Sequence, residues 1–291
     1  MRAMDLPVPM LPFAVLRPDR QTAPVVIASP HSGRDYPPDF VAAARLDAVG
    51  LRRSEDSFVD ELFAAAPRHG MPLLSATFPR AFCDPNRERW ELDPAMFDEA
   101  LPAWVNTTSP RVGAGLGTIA RVVASGESIY REKLSFAEAE RRVQYFWEPY
   151  HRALHDLIET TRHEFGACLL IDCHSMPSHG CGSRNGGLPA DFVLGDAHGT
   201  ACGPRPVRLV ERILTKLGYV VRRNDPYSGG YVTRYYGSPR ERIHVLQIEI
   251  ARRLYMDELR IQRSERFDSV QHDLARLIES LAADAAELLG R

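Results

Sequence analysis

The stretch LLIDCHSMPS, residues 169–178, decides how this chain is read. Three aliphatic residues run straight into Asp172, Cys173, His174 and Ser175. A strand that only held a core together would end in turn residues. This one ends in side chains able to bind a metal or move a proton. In open α/β sheets ligands collect beyond the carboxyl ends of strands, which is where His174 is expected.

Working outward, six segments read as strands: PVVIAS (24–29), PLLSATF (72–78), CLLIDC (168–173), DFVLG (191–195), YVVR (219–222) and HVLQIEI (244–250). Several are continuous apolar runs, as expected of strands covered on both faces. Helix-period segments lie between them. DSFVDELFAAAPRHG (56–70) sets Phe58, Leu62 and Ala65 on one face and stops at Gly70. A capping box, Ser135 with Glu138, opens the long segment 135–165, which Pro149 is expected to kink or split. PVRLVERILTKLG (206–218) ends on a glycine C-cap. Val270, Leu274, Leu277, Leu281 and Leu288 give the last helix an apolar stripe. Strands alternating with helices predict an α/β fold: one domain over 1–291, with a mixed, mostly parallel sheet and helices on both faces. The Pro- and Gly-rich stretch 92–126 reads as a long loop excursion, the kind of loop that often carries function.

Composition narrows the class. With 291 residues, 44% apolar and 25% charged, the chain matches an ordinary globular protein able to bury a full core. A net charge of −2 gives no reason to expect nucleic acid or an anionic membrane as partner. Five cysteines without a C-x-x-C pair argue against a disulfide framework or a zinc knuckle and fit a cytoplasmic protein. The proline-broken N-terminus does not read as a signal peptide, and no apolar run is long enough to span a membrane.

His31, in SPHSG, follows the first predicted strand as His174 follows the third. A carboxylate from SEDS (54–57), Glu55 or Asp56, would complete a His, Asp/Glu, His set. Three protein ligands with an open fourth position are what a catalytic zinc requires. Taken singly, each residue also has a plain structural explanation, such as a hydrogen-bonded histidine or first-turn carboxylates facing a helix dipole. His151 and His155 share a helical face but lack a metalloprotease glutamate, and read as mainly structural. In LQIEIARRLYMDE (246–258), Gln247 and Glu249 share a strand face. A carboxylate inside so apolar a strand is costly unless paired, with Arg252 or Arg253 for instance, or functional. Burial would raise its pKa into the range of a general base. Arg87, in FCDPNRE, is suited to a bidentate grip on a substrate carboxylate. PYSGGYVTRYYG (226–237) adds Arg234 and two glycines that permit close approach of backbone to a ligand. No nucleophile elbow or phosphate-binding loop occurs, and GAGLGT (113–118) has the wrong spacing for a dinucleotide site. Cys173 and His174 point to opposite strand faces, against a thiolate–imidazole pair.

SPHSG, EDSFVDEL, DPNR, IDCHS, GGYVTRYYG and VLQIEIARRLYMDE occur in an order that resembles the N-formylglutamate amidohydrolase family, as does the segment 129–154. The resemblance implies a zinc-dependent amidohydrolase with a fold related to zinc carboxypeptidases and aspartoacylase. Carried over to this chain, it implies His31, Asp56 and His174 as ligands of one catalytic Zn2+ and Glu249 as the catalytic carboxylate. Asn86 and Arg87 would hold a substrate carboxylate. Arg34, which stands where zinc carboxypeptidases carry a glutamate ligand, would help with a second one. Asp172 would orient a ligand imidazole. The implied substrate is a small N-acyl amino acid, with N-formyl-L-glutamate the leading candidate. Another N-acyl amino acid or small peptide is an alternative, and a non-catalytic binding protein is a more distant one. GLGT (115–118) departs from the family's GLCP-like segment, which bears on substrate preference.

Overall fold

In the computed structural model, residues 11–181 and 188–290 are described. All six predicted strands are present, extended or trimmed by a few residues. They are β2 (Val25–Ser29), β3 (Leu73–Ala76), β4 (Cys168–Met176), β5 (Phe192–Gly195), β6 (Val221–Arg223) and β7 (Ile243–Ala251). A seventh, β1 (Phe13–Leu16), precedes them, and a short hairpin, β8 (Met256–Asp257) with β9 (Gln262–Arg263), follows. The main sheet has the order β1-β3-β2-β4-β7-β5-β6. Its contiguous centre, β3-β2-β4-β7, is parallel, whereas β1 runs against β3 and β5 against β7. β1 is as apolar as the others, but it is only four residues long, lies in a stretch broken by Pro12 and Pro18, and sits at the sheet edge with residues alternately half-buried and exposed.

Alternation divides the sheet's side chains between two cores. One face packs Val25, Ile27, Leu169, Ile171, Cys173, Leu246, Ile248 and Ile250 against the last two long helices, α7 (Pro204–Lys216) and α9 (Phe267–Leu289). Within α9 the stripe Val270, Leu274, Leu277 and Leu281 is buried as expected; the side chain of Leu288 lies outside the described residues. The other face packs Val26, Ala28, Cys168, Leu170 and Val245 against α6 (Glu148–Phe165). Further along this second face the sequence turns polar: Leu170 gives way to Asp172 and His174, and Val245 to Gln247 and Glu249. His174 and Glu249 are register partners across β4 and β7. The chemistry-bearing residues therefore sit where an apolar face stops, at the carboxyl ends of parallel strands.

Pro149 does not split its helix. α5 (Phe136–Arg142), capped by Ser135 on the Glu138 N–H, passes through a π turn at Val143–Trp147 into α6, whose first turn holds Pro149. The wider turn accommodates a ring with no N–H to donate. Nor is 92–126 a detached loop. Leu92, Ile119 and Val123 belong to the second core, and the segment carries a short helix, Pro110–Gly113. Among the described residues, no helix is long and apolar enough to cross a membrane.

Candidate active site

His31 leaves β2 on a loop held close to the neighbouring strand. Gly33 lies against the next strand's exit, where a Cβ would stand 2.1 Å from the Phe78 carbonyl oxygen. Ser29 donates to Ser32 at 2.9 Å across the same turn. The Asp56 backbone N–H donates to the His31 carbonyl at 3.0 Å, which brings the segment before the helix Val59–Leu62 over the ends of β2 and β4. His174 rises from β4 into the same space.

Three buried atoms converge there. His31 Nδ1 and His174 Nδ1 are 3.1 Å apart, and Asp56 Oδ2 lies 3.4 Å from the first and 3.1 Å from the second. Bonds of 2.0–2.1 Å to a tetrahedral ion imply ligand–ligand edges of about 3.3 Å, so the trio has the spacing of one face of a zinc tetrahedron. The outer nitrogens are engaged as such a site requires. His31 Nε2 donates to Asp84 Oδ1 at 2.7 Å, which leaves Nδ1 as the lone-pair atom. His174 Nε2 lies 3.1 Å from Asp172 Oδ1, a fully buried carboxylate whose oxygens have no well-aligned hydrogen bond among the described residues. Asp56 divides its oxygens. Oδ1 accepts from Ser175 Oγ at 3.0 Å and Arg252 Nη2 at 3.2 Å, while Oδ2 faces the histidines.

Glu55 is used elsewhere. It accepts from Arg52 at 2.9 and 2.7 Å, from Ser57 at 2.7 Å and from Tyr36 at 3.1 Å. Of the two carboxylates in SEDS, only Asp56 reaches the histidines.

The electrostatics follow from burial and pairing. Burial works to raise the Asp56 pKa, but hydrogen bonds from His174 and His31 outweigh it and hold the carboxylate well below its usual range. Asp84 is likewise held low, with Arg80, His31 and Arg87 overcoming burial. Burial works to lower His174, but Asp172 and Asp56 raise it well above an ordinary imidazole. Where two buried carboxylates hold an imidazole so firmly in its charged form, a divalent cation fits in place of the proton. Glu249 is different. It has no arginine ion-pair partner among the described residues, and burial pushes it up to about 7. Its Oε1 accepts from Gln247 Nε2 at 2.9 Å. Arg252 and Arg253 pair instead with Asp56 and Asp191.

A cavity of about 390 Å³ opens beside the cluster, bordered by His31, Asp56, His174, Glu249 and Arg87. Arg87 is braced from behind: its Nε donates to the Leu116 carbonyl at 2.7 Å and its Nη1 to the Asn86 carbonyl at 2.8 Å. Asn86 lines the cavity, yet its amide is engaged. Its Oδ1 accepts from the Val232 N–H at 2.8 Å, and its Nδ2 lies 3.1 Å from His174 Nε2. Gly230 permits this approach, since a Cβ there would stand 2.4 Å from Asn86 Nδ2.

Arg34 stands outside the cavity, contrary to expectation. Its exposed guanidinium is captured by Asp60 at 3.3 Å and Glu61 at 2.9 Å, the acidic first turn of the following helix. His151 is structural, as read: it bonds the Tyr236 hydroxyl at 2.9 Å and the Pro85 carbonyl at 2.8 Å, and His155 is exposed. Cys173 packs into the opposite core. Asp84 and Arg80 carry no signal in the sequence, and Arg252, a possible partner of Glu249 on sequence grounds, binds Asp56 instead. Asp84 had a sufficient local explanation in its turn, where its Oδ1 also accepts from the Asn86 N–H at 2.8 Å.

Comparison with known proteins identifies the family. Residues 23–256 match the N-formylglutamate amidohydrolase family. N-formylglutamate deformylase of Pseudomonas aeruginosa is 30% identical over 275 residues, covering 92% of this chain and 96% of the relative. The Pseudomonas putida deformylase is 29% identical over 269 residues, covering 91% and 94%. The crystal structure of N-formylglutamate amidohydrolase from Ralstonia eutropha superposes with a TM-score of 0.88 at 41% identity, covering 94% of this chain and 98% of that one. With its fold and most of its length in common with these proteins, the chain belongs to the N-formylglutamate amidohydrolase family.

Proposed function

We propose that this protein hydrolyses the formamide of N-formyl-L-glutamate to L-glutamate and formate, at one zinc ion held by His31, Asp56 and His174. The observation that carries the reading is the convergence of His31 Nδ1, His174 Nδ1 and Asp56 Oδ2, no two more than 3.4 Å apart, beside a carboxylate on the adjoining strand. The chemistry a bound zinc supplies is polarisation of the amide carbonyl and a water acidic enough to react near neutral pH. Asp84 and Asp172 hold the two imidazoles in place, and Arg252 with Ser175 fixes Asp56.

Glu249 does the proton work. With Oε1 tied to Gln247, Oε2 takes the proton from the attacking water and then delivers it to the departing amine nitrogen. Burial matches its basicity to that role by destabilising the charged form. Arg87, held by two carbonyls, presents a guanidinium to a substrate carboxylate and fixes the amide over the ligand cluster. Asn86 fixes the chain at Val232 rather than gripping substrate by itself.

The test is formate release from N-formyl-L-glutamate by the purified protein before and after chelation. Activity is expected to vanish on chelation and return with about one equivalent of zinc per chain. Full formate release by the chelated protein would refute the metal assignment; no release under any condition would refute the substrate.

A further inference from the structure

The cavity carries more positive charge than its own carboxylates neutralise. Arg80 pairs with Asp84 at 2.8 Å, and Arg252 with Asp56 at 3.2 Å. Three further guanidiniums line the same space, those of Arg87, Arg111 and Arg234. Arg87 lies 3.9 Å from Asp84, at the outer limit of an ion pair and on an oxygen Arg80 already holds. The Arg111 guanidinium has no hydrogen-bond or ion-pair partner among the described residues. Among the described residues, Arg234 reaches only a neutral oxygen, Ser228 Oγ, at 3.3 Å.

The protein builds this arrangement rather than merely tolerating it. Arg111 is carried by the short helix Pro110–Gly113, capped by Ser109 on the Val112 N–H at 3.1 Å. The Arg111 carbonyl accepts from the Leu116 N–H at 2.8 Å, and the Leu116 carbonyl in turn braces Arg87 at 2.7 Å. One segment thus orients two cations toward one cavity. Arg87 registers the crowding: burial first, then the nearby Arg80 and Arg111, depress its basicity, with Asp84 opposing. Arg87 is buried while Arg111 and Arg234 are exposed, and like charges lining one space create a field that an anion of matching charge relieves.

We propose that Arg111 and Arg234 are specificity-determining residues that bind the second carboxylate of a dicarboxylate substrate, the first being held by Arg87. They take the place that Arg34, committed to Asp60 and Glu61, cannot fill. This rests on the hydrolytic reading above and adds to it the reason an acidic amino acid is preferred. A substrate with a neutral side chain leaves two cavity guanidiniums without a counter-charge.

The experiment compares kcat and KM for N-formyl-L-glutamate and N-formyl-L-glutamine in the wild type, R111Q, R234Q and R111K. The wild type is expected to prefer the glutamate compound. Each glutamine variant should lose about tenfold or more of that preference, the typical value of a charge-assisted hydrogen bond, with the loss falling mainly on KM. R111K should recover part of it. If R111Q and R234Q both keep the wild-type preference, the proposal is overturned while the hydrolytic reading stands. If the wild type turns over neither compound, that reading fails and calorimetric titration with glutarate decides the proposal instead: weaker binding in the variants supports it, and equal binding overturns it.

Discussion

At Asp84 two tasks meet in one carboxylate. Its Oδ1 accepts from the Asn86 N–H, shaping the turn that presents Asn86 and Arg87, and also from His31 Nε2. The second contact fixes which imidazole nitrogen faces the cluster. Asp84→Asn should therefore weaken zinc binding about 10–100-fold, the usual effect of losing an outer partner of a ligand histidine. A competition titration against a chelator measures this, and unchanged affinity would mean that His31 is oriented by packing alone. Glu249→Gln separates binding from chemistry. Its zinc affinity should stay within a few-fold of wild type while turnover falls by about 10²–10⁴. Survival of turnover would remove Glu249 from the proton path. His31, His174 and Glu249 were legible because they carry a visible conflict, ligand-type side chains at the end of an apolar run or a glutamate inside one, whereas Asn86 and the choice of Asp56 over Glu55 rest on the family resemblance. Asp84 and Arg252 showed no such conflict. An acid in an Asp-Pro-Asn turn and an arginine after a strand are explained locally, and only the tertiary fold puts them against His31 and Asp56.

At the scale of elements, α6 ties the second core to the site. His151 stacks on Trp147 with ring centroids 3.8 Å apart and holds the Pro85 carbonyl, so the helix fixes the turn next to Asn86. Burial lowers the His151 pKa from 6.5 to about 4, so the imidazole stays neutral in the folded protein where the unfolded chain would be protonated. The stability this contributes is fully present above pH 6.5 and is lost as pH falls toward about 4, to the extent of roughly 3 kcal/mol. Urea unfolding between pH 7.5 and 4.5 should show a steeper loss in wild type than in His151→Gln, which has no proton to gain; equal slopes would contradict this. The strands of the parallel centre were legible because burial on both faces leaves a continuous apolar signature. β1 was not, since four apolar residues between Pro12 and Pro18 are too short a run to tell a strand from a loop. The π turn was not legible either, because a proline in a helical pattern announces a disturbance without saying how the chain absorbs it.

Across the whole molecule, one topological fact arranges everything else: β2, β4 and β7 run parallel and end on the same side. His31 follows the first, His174 closes the second, Glu249 closes the third, and Asp56 is tied to the His31 carbonyl above them. The excursion 92–126 then walls the cavity with Arg111 and Leu116, a role its Pro- and Gly-rich composition hinted at without identifying the residues. Arg34 shows why proximity in sequence misleads. It lies three residues from His31, yet Gly33 packs against Phe78 and the chain beyond it turns to the acidic helix start. The central claim is that two imidazoles and one carboxylate from distant segments share one ion. X-ray absorption at the zinc edge of the metal-loaded protein tests it most directly. The expected result is a shell of nitrogen and oxygen at about 2.0–2.1 Å with the outer-shell signature of two imidazoles. A sulfur ligand, or a shell with no imidazole in it, would contradict it.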